Sequence, residues 1–391
     1  MAEAVRYKWK MGAEARALSL LTFILLAWGL ATVYSASAIV EMEAGQSPQH
    51  LLLRQAIGMV VGLAIFAASA KMDAELWSKW AWPLMIATMV MLLIIVLPFT
   101  VRIAPRIHGA RRYLFGASVQ PSEFAKLAVI VWSSMLIVKK GDAMRHLRKG
   151  LFPFLVVVGI LDLLVMAEPD LSQAMMYTLT LGIILFAGGV RVGHFVALGA
   201  ALIPYLFTKA QKLNYVLLRM TAFLDPGSAS AVTTYQLKQS LIAVGSGGIG
   251  GVGFGQGRQQ YGFLPFGYDD FIGAHIGEEW GFVGMCVLVI FFFAYGALGF
   301  RIARNARSQF QTLVAVGITV TIILTAYLHI GVVTGLLPTT GLTLPFISYG
   351  RSNLVLSLLM TGILVNIGST HEKVIASHAT DPVALRAIPL G

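Results

Sequence analysis

The chain has 391 residues, of which 57% are hydrophobic and only 12% are charged, whereas roughly 25% are charged in a soluble domain. A soluble core of this length could not bury so much apolar surface, so the composition excludes an ordinary soluble enzyme or nucleic-acid-binding domain despite the formal net charge of +11. The single cysteine, Cys286, excludes an internal disulfide framework and a thiolate metal cluster.

Ten stretches are long and apolar enough to be membrane-spanning helices, which need about 20 mostly apolar residues. They lie at 17–36, 52–70, 78–99, 122–138, 151–167, 171–189, 193–208, 273–300, 311–335 and 347–367. The predicted fold class is therefore an all-α integral membrane protein with ten transmembrane helices. A long extracytoplasmic loop, 209–271, is expected between helices 7 and 8. Because no period of 20 to 50 residues repeats, we expect a single domain.

The distribution of basic residues predicts the orientation. Arg6, Lys8, Lys10 and Arg16 precede a first apolar run that is too long for the core of a cleavable signal. Alternate loops after that run are rich in Lys and Arg, as cytoplasmic loops are. We therefore expect a cytoplasmic N-terminus at 1–16, a membrane domain at 17–370 and a loose cytoplasmic tail at 371–391.

The predicted outer segment 102–126 carries charges against this trend. Arg111 and Arg112 stand before a helix start, and Glu123 and Lys126 lie three residues apart on one helical face. An interfacial ion pair with snorkelling arginines would explain the arrangement without a function. A phosphate clamp is the functional alternative.

A second outer connection contains Glu168, Pro169 and Asp170. Asp170, with Gln173 three residues later, fits the pattern of a helix N-cap. Pro169 biases Glu168 toward an extended backbone. Glu168 is also a candidate for binding a cation or a sugar.

The glycine-rich segment 245–257 contains a G-x-G-x-x-G match at Gly245, Gly247 and Gly250. No strand precedes the match, so it does not indicate a dinucleotide site. Close backbone packing or a hinge is the better prediction.

Four carboxylates, Asp269, Asp270, Glu278 and Glu279, lie near the predicted start of the eighth helix. Ionised groups at the membrane are costly, so they need partners or a function. Asp270 is either a helix N-cap or a general base. Glu278 lies about 80° around the helix from Asp270, and Glu279 lies on the opposite face. We therefore expect only Glu278 to share a cavity with Asp270.

The segment 337–353 before the last helix is rich in Pro, Gly and hydroxyl groups. Irregular backbone at membrane depth is tolerated only where it is buried in protein or lines a cavity, so this segment is either a re-entrant packing element or a cavity wall. His329 is expected to be a hydrogen-bonded interior histidine, since no second histidine stands three or four residues away.

Five groups of motifs together resemble the SEDS family (shape, elongation, division and sporulation proteins). They are Gly109-Ala-Arg-Arg-Tyr with Gln120-Pro-Ser-Glu, Glu168-Pro-Asp-Leu, Tyr235-Gln-Leu-Lys-Gln-Ser with Gly245-Ser-Gly-Gly, Asp270-Phe-Ile with Gly277-Glu-Glu, and Pro338 to Gly350. Their order and spacing match the family over about residues 17–370. Tyr235-Gln-Leu-Lys-Gln-Ser and Ile276-Gly-Glu-Glu are more similar to the division branch, FtsW, than to the elongation branch, RodA.

The resemblance implies a peptidoglycan glycosyltransferase that polymerises lipid II on the outer face of the bacterial cytoplasmic membrane, with the division septum as its expected location. It implies a class B penicillin-binding protein and other divisome or elongasome membrane proteins as partners, and no nucleic acid. The family's catalytic aspartate falls on Asp270, beside which Asp269 would share a proton or assist. The alternatives are a lipid II flippase, a RodA-type elongation polymerase and a divisome scaffold.

The expected chemistry needs a base for the attacking sugar hydroxyl and positive charge for the departing pyrophosphate. A divalent cation, Mg²⁺ or Mn²⁺, is a candidate cofactor, and no nucleotide is expected because the donor carries its own pyrophosphate bond. The expected substrate-binding residues are Arg111, Arg112, Gln120, Glu123, Lys126, Glu168, Asp170, Arg219, Lys238, Gln239, Glu278 and Ser348.

Overall fold

A computed structural model of the chain describes residues 5–100, 102–105, 110–114, 119–195, 223–224, 231–375 and 387–388. The main helices in those ranges are α1 Ala13–Glu43, α2 His50–Lys71, α3 Leu76–Val96, α4 Pro121–Lys140, α5 Phe152–Ala167, α6 Leu171–Ala187, α7 Ala231–Ser246, α8 Ile272–Arg304, α9 Gln309–Val333 and α10 Arg351–Ile367. Short 3₁₀ turns lie at Pro98–Thr100, Gly141–Arg145 and Gln259–Tyr261, and a π turn at Leu147–Leu151.

Seven of the described helices, α1 to α5, α8 and α9, are long and apolar enough to cross a membrane when the turns next to α4 and α5 are included. Helices α6 and α10 are apolar but have only 17 residues each. The predicted helical membrane architecture is therefore confirmed. The predicted count of ten spans stays a prediction, because most of the seventh, 193–208, lies outside the described residues.

The predicted loop 209–271 is not loop throughout, since it contains α7. Leu237, Ser240 and Ala243 recur every three residues on α7 and are buried. The Ser240 hydroxyl donates a 2.9 Å hydrogen bond to the carbonyl of Val333 at the end of α9. This face packs α7 against the bundle, beside the region where the carboxylates of the predicted site lie.

Close packing of α2 against α10 positions the segment before α10. A Cβ added to Gly362 would lie 2.7 Å from the carbonyl oxygen of Phe66, so glycine allows the two backbones to approach. On the same helix pair, the Gln55 amide donates to the carbonyl of Ser348 (2.9 Å) and accepts from the N–H of Gly350 (3.2 Å). The buried Gln55 therefore fixes the backbone of this segment at both ends of a short turn.

The expectation of a loose tail is wrong for its first residues. Strand β1 (Val5–Met11) pairs antiparallel with β2 (Ser369–Ile375), which pairs with β3 (Ala387–Ile388). The sequence of β1 alternates polar and apolar residues, the period-two pattern of a strand, although its basic residues suggested only an orientation signal. The sheet brings the N-terminal segment and the start of the tail to the same end of the bundle.

Candidate active site

Asp269 and Asp270 lie in a turn before α8, which begins at Ile272 after an N-cap at Phe271. The N-cap role considered for Asp270 is therefore wrong. The segment before α10 holds the backbone of this turn, because the Ser348 hydroxyl donates to the carbonyl of Asp269 (2.7 Å). The N–H of Tyr349 likewise donates to the carbonyl of Tyr268 (3.0 Å). Ser348 thus acts on the backbone of the turn and does not line the cavity in front of it.

His329 on α9 fixes the start of α8 against the segment before α10. Its Nδ1–H donates to the carbonyl of Leu342 (2.8 Å), so its Nε2 accepts from the N–H of Gly273 (3.1 Å). The buried imidazole uses both nitrogens, which confirms the expected interior histidine. Gly341, next to Leu342, consequently faces Asp270: a Cβ added there would lie 3.6 Å from the Asp270 Oδ2.

A cavity of about 320 Å³ opens in front of the two aspartates. Its walls come from the starts of α4 and α6, from α7, and from the segments before α8 and α10. The lining residues are Ala110, Arg112, Tyr113, Gln120, Glu123, Pro169, Asp170, Leu171, Ser172, Gln173, Gln236, Phe266, Asp269, Asp270, Thr340, Gly341 and Thr343. Five of the predicted site residues are therefore brought together around Asp270: Arg112, Gln120, Glu123, Asp170 and Asp270 itself.

Arg112 is held at the cavity wall by the connection between α5 and α6. Its guanidinium donates to the carbonyls of Glu168 (3.2 Å) and Pro169 (2.5 Å), and Nη1 lies 3.7 Å from the Asp170 Oδ2. Asp170 also accepts from the N–H of Gln173 (3.3 Å), which confirms the predicted cap of α6. Burial raises the pKa of Asp170, and the Arg112 charge opposes that rise. The Arg112 guanidinium therefore lies at the cavity wall with its positive charge only partly compensated.

Glu123 and Lys126 form a buried ion pair, with 2.8 Å between Nζ and Oε2. The other Glu123 oxygen accepts from the side-chain amide of Gln173 (2.6 Å). Glu123 reaches the cavity, whereas Lys126 is not among the lining residues. The ion pair predicted from the three-residue spacing is confirmed, and it ties α4 to α6 through Gln173.

The two neighbouring aspartates differ in environment. Burial raises the pKa of Asp269 well above its usual range, and the nearby charges of Asp270 and Glu123 raise it further. Its Oδ1 is buried with no hydrogen-bond partner among the described residues. This rise favours the protonated form of Asp269. Burial raises the pKa of Tyr113, and the nearby carboxyl groups of Asp269 and Glu123 raise it further, so the phenol remains a hydrogen-bond donor.

The other predicted binding residues lie elsewhere. Arg111 and Glu168 line a second cavity, to which Ala110 and Pro169 also contribute. Lys238 is exposed, and Gln239 accepts from the amide of Gln259 (3.2 Å). Arg219 lies outside the described residues. Gln236 is the residue of α7 that lines the cavity of Asp270. The sequence could not predict it, because the buried face of α7 was not known.

The expectation that Glu278 shares the cavity of Asp270 is wrong. Its carboxylate accepts from the N–H groups of Arg258 (2.8 Å) and Gln259 (3.2 Å), while Glu279 accepts from the N–H of Gly255 (3.1 Å) and from the hydroxyl of Ser35. The glycine-rich segment folds back over the start of α8 and uses both carboxylates. A Cβ at Gly247 would lie 1.9 Å from the carbonyl oxygen of Gly277, which confirms close backbone packing.

The family model for the FtsW, RodA and SpoVE proteins, described as "Cell cycle protein", matches residues 16–373. The chain belongs to this family. It is 36% identical over 371 residues to the "Probable peptidoglycan glycosyltransferase FtsW" of Trichlorobacter lovleyi, covering 94% of this chain and 97% of that protein. It is 35% identical to the stage V sporulation protein E of Bacillus subtilis over 90% of this chain and 95% of that one.

Two solved structures have the same fold as this chain. A chain from a peptidoglycan synthase complex that coordinates polymerization and crosslinking superposes with a TM-score of 0.75 at 23% identity, covering 90% of this chain and 97% of that one. RodA of Thermus thermophilus gives a TM-score of 0.65 at 22% identity, with 90% and 95% covered. Together with the apolar helices, this membership identifies the chain as an integral membrane protein.

The described residues contain no group of three or more His, Cys, Asp and Glu side chains placed to hold a metal ion. The cavity does hold the neighbouring carboxyls of Asp269 and Asp270, with Glu123 and Asp170 on other walls. One or two carboxylates completed by substrate phosphate oxygens are the usual protein share of a Mg²⁺ site. The residues present thus fit a cation that is held jointly with a phosphorylated substrate, and they do not fit a cage built from protein alone.

Proposed function

We propose that the chain is a peptidoglycan glycosyltransferase that polymerises lipid II into glycan strands on the outer face of the cytoplasmic membrane, with Asp270 as general base. The observation that carries the proposal is the single cavity in which Asp270 and Arg112 face the same space. The curated FtsW relative from Trichlorobacter lovleyi, which matches nearly the whole chain, supports the same activity.

In the proposed reaction, a hydroxyl of the acceptor sugar attacks the anomeric carbon of the donor. Its proton passes to Asp270 as the new C–O bond forms, and the bond from the donor sugar to its pyrophosphate breaks. The leaving polyprenyl pyrophosphate takes the electron pair, and the Arg112 guanidinium stabilises the developing negative charge. The phenol of Tyr113 and the hydroxyls of Thr340 and Thr343 line the same space and would orient the sugars.

The raised pKa of Asp269 supports this assignment. A second full negative charge beside Asp270 would hinder the approach of a pyrophosphate, and the raised pKa disfavours that charge. The carboxylates of this cavity would hold a divalent cation together with the substrate phosphates, and that cation would supply further charge stabilisation. We propose no nucleotide, because the donor pyrophosphate bond itself carries the free energy of the reaction.

We further propose ten membrane spans, a mostly extracytoplasmic segment 209–271, and both chain ends in the cytoplasm. The β1–β2 pairing supports the last point, because it requires the N-terminal segment and the start of the tail to lie on one side of the membrane. Labelling of single cysteines with a membrane-impermeant reagent, in a Cys286→Ala background, tests the topology. Labelling at position 8 from outside would contradict it, and labelling of the exposed position 261 is expected.

We propose division, rather than elongation, as the process, because the curated relatives include several named FtsW. The expected location is the septum and the expected partner is a class B penicillin-binding protein. The structural neighbour from a complex that couples polymerization to crosslinking supports such a pairing. A fluorescent fusion that labels the lateral wall instead of the septum would favour the RodA-type alternative.

The decisive experiment uses the purified protein with its penicillin-binding partner and labelled lipid II in detergent, where no flipping is needed. The wild type should form glycan polymer, and Asp270→Asn should form none. The matched control is Asp142→Asn, which removes an exposed aspartate outside the cavity of Asp270 and should form glycan polymer like the wild type. Polymer from Asp270→Asn would remove Asp270 as base, and no polymer from any form would favour the flippase or scaffold.

A further inference from the structure

A second cavity, of about 440 Å³, lies beside the first and takes no part in the proposed reaction. It is lined by Ile95, Val96, Pro98, Ala110, Arg111, Ala167, Glu168 and Pro169. Ala110 and Pro169 line both cavities, so the two spaces adjoin beside Arg112. A ligand in the second cavity would therefore lie next to the reaction site.

Arg111 gives this cavity a positive charge. Its guanidinium donates to the carbonyls of Leu97 (2.9 Å) and Ala104 (3.0 Å) and to the Thr100 hydroxyl (2.7 Å), all of which are neutral. Within the described part of the chain, no carboxylate forms an ion pair with Arg111. The bonds fix the guanidinium in place and leave its charge uncompensated, as an anion site requires.

Glu168 provides the second observation. Its side chain is 2% exposed, and both carboxyl oxygens are buried with no hydrogen-bond partner among the described residues. A buried carboxyl group in this state needs a ligand or a proton. Burial and the charge of Asp170, opposed by Arg112, raise the pKa of Glu168 to about 9. Glu168 is therefore a neutral acid at pH 7, able to donate a hydrogen bond to an anion without repelling it.

The remaining walls are apolar. Ile95 and Val96 end α3, Pro98 begins the 3₁₀ turn that follows, and Phe99 in that turn is 78% exposed. Leu93, further back on α3, is also exposed. A ligand with an anionic head and a hydrocarbon chain would match this order, with its head at Arg111 and its chain along α3.

We propose that the cavity of Arg111 and Glu168 is a second anion subsite, which holds the pyrophosphate head of a polyprenyl lipid as it leaves the reaction site. The assignment rests on the proposed function for the identity of the lipid. The pyrophosphate departs beside Arg112, and the adjoining cavity offers it a second fixed cation, a neutral hydrogen-bond donor and an apolar path. Release would then proceed away from Asp270, which clears the first cavity for the next donor.

A binding experiment tests this without any turnover. The purified full-length protein, in complex with its partner where needed for stability, is titrated with farnesyl pyrophosphate, inorganic pyrophosphate and farnesol at pH 7.5. Arg111→Met should weaken farnesyl pyrophosphate binding by about tenfold, the usual effect of losing one charge-assisted hydrogen bond. Arg102→Met, which removes an exposed arginine from the same segment, is the matched control and should bind like the wild type. Tighter binding of farnesyl than of inorganic pyrophosphate would identify the lipid head, and equal binding would identify free pyrophosphate and overturn the lipid assignment.

A second arm uses Glu168→Gln, which is isosteric with the neutral acid. As the pH rises from 7.5 to 10, Glu168 ionises against Asp170 and faces the bound anion, so the wild type should lose about tenfold in affinity. Glu168→Gln should lose less affinity over this pH range, because residue 168 can no longer ionise. Parallel pH curves for the two proteins, or equal weakening by Arg111→Met and Arg102→Met, would overturn the proposal. Loss of polymerisation with intact farnesyl pyrophosphate binding would instead count against the proposed function alone.

Discussion

Gly341 faces the Asp270 carboxylate at contact distance, with φ +76° and a position for a Cβ 3.6 Å from Oδ2. A methyl group at residue 341 would therefore occupy space directly beside the Asp270 carboxylate. We predict that Gly341→Ala lowers the rate of glycan polymerisation by at least about tenfold, because the methyl group occupies the space where the acceptor hydroxyl must meet the base. Gel analysis of labelled polymer formed from lipid II measures the effect.

Gly45 is the matched control for this change. Its φ is +74° and nothing lies within 4 Å of an added Cβ, so Gly45→Ala costs the same backbone strain, about 1 kcal/mol, without touching the site. Both variants should lose similar thermal stability, and only Gly341→Ala should lose activity. Equal activity of the two variants would show that the space beside Asp270 is not used.

Asp269→Asn should keep most of the activity that Asp270→Asn loses. Asn is isosteric with the protonated form that the raised pKa of Asp269 favours. The unfolded chain releases the Asp269 proton at a lower pH than the folded protein does, because folding raises this pKa. The free energy of unfolding of the wild type therefore falls as the pH rises above the unfolded pKa of about 4. The variant should therefore be more stable than the wild type at pH 7 and similar to it near pH 4. Thermal unfolding at both pH values measures this stability difference. Loss of activity in Asp269→Asn would contradict the prediction and show that the reaction needs the Asp269 carboxyl group itself.

Asp170 has two contacts whose effects can be separated. Asp170→Ala removes the cap of α6 and the ion pair with Arg112. Ser308→Ala removes the cap of α9, where the Ser308 hydroxyl accepts from the N–H of Gln311 (3.2 Å), together with the hydrogen bond that this hydroxyl donates to Glu75. Each should cost about 1 kcal/mol of stability. Only Asp170→Ala should also raise KM for lipid II, because Arg112 loses the carboxylate that orients it. A KM increase in Ser308→Ala of the same size would assign the effect to stability.

Some features of the fold and site follow directly from local sequence. The structure confirms three such features: the cap at Asp170, the ion pair of Glu123 with Lys126 and the close-packing glycines. Each depends mainly on residues that are near one another in the sequence. The spans of the long apolar helices depend only on length and composition, so their ends agree within several residues.

Other features depend on how distant segments meet. The prediction that Glu278 shares the cavity of Asp270 was wrong. Helical angles describe positions around one helix, whereas the Glu278 carboxylate is bound by a distant segment that folds over that helix. Arg111 and Arg112 are adjacent in sequence but line different cavities, since Arg111 is drawn back by three acceptors at 97–104. The segment before α10 gave no charge signal, yet Thr340, Gly341 and Thr343 complete the cavity.

Glu278 should act on stability first and on activity through the fold of the glycine-rich segment. Glu278→Ala leaves the N–H groups of Arg258 and Gln259 without their acceptor, and we predict a loss of about 2–3 kcal/mol in unfolding free energy. Glu278→Gln keeps one acceptor oxygen and should lose less. Glu43→Ala, which removes an exposed glutamate from the end of α1, should be neutral.

The order of these losses distinguishes a supporting residue from one that touches the substrate. If Glu278 only holds the segment, polymer yield should follow the folded fraction of each variant, and Glu278→Gln should recover both together at lower temperature. Because Glu278 lies outside the cavity of Asp270, its variants should leave KM for lipid II unchanged in the protein that remains folded. A Glu278→Gln protein with wild-type stability and a raised KM would instead place the Glu278 carboxylate against the substrate, and the glycine-rich segment would then have to move away from α8 during turnover.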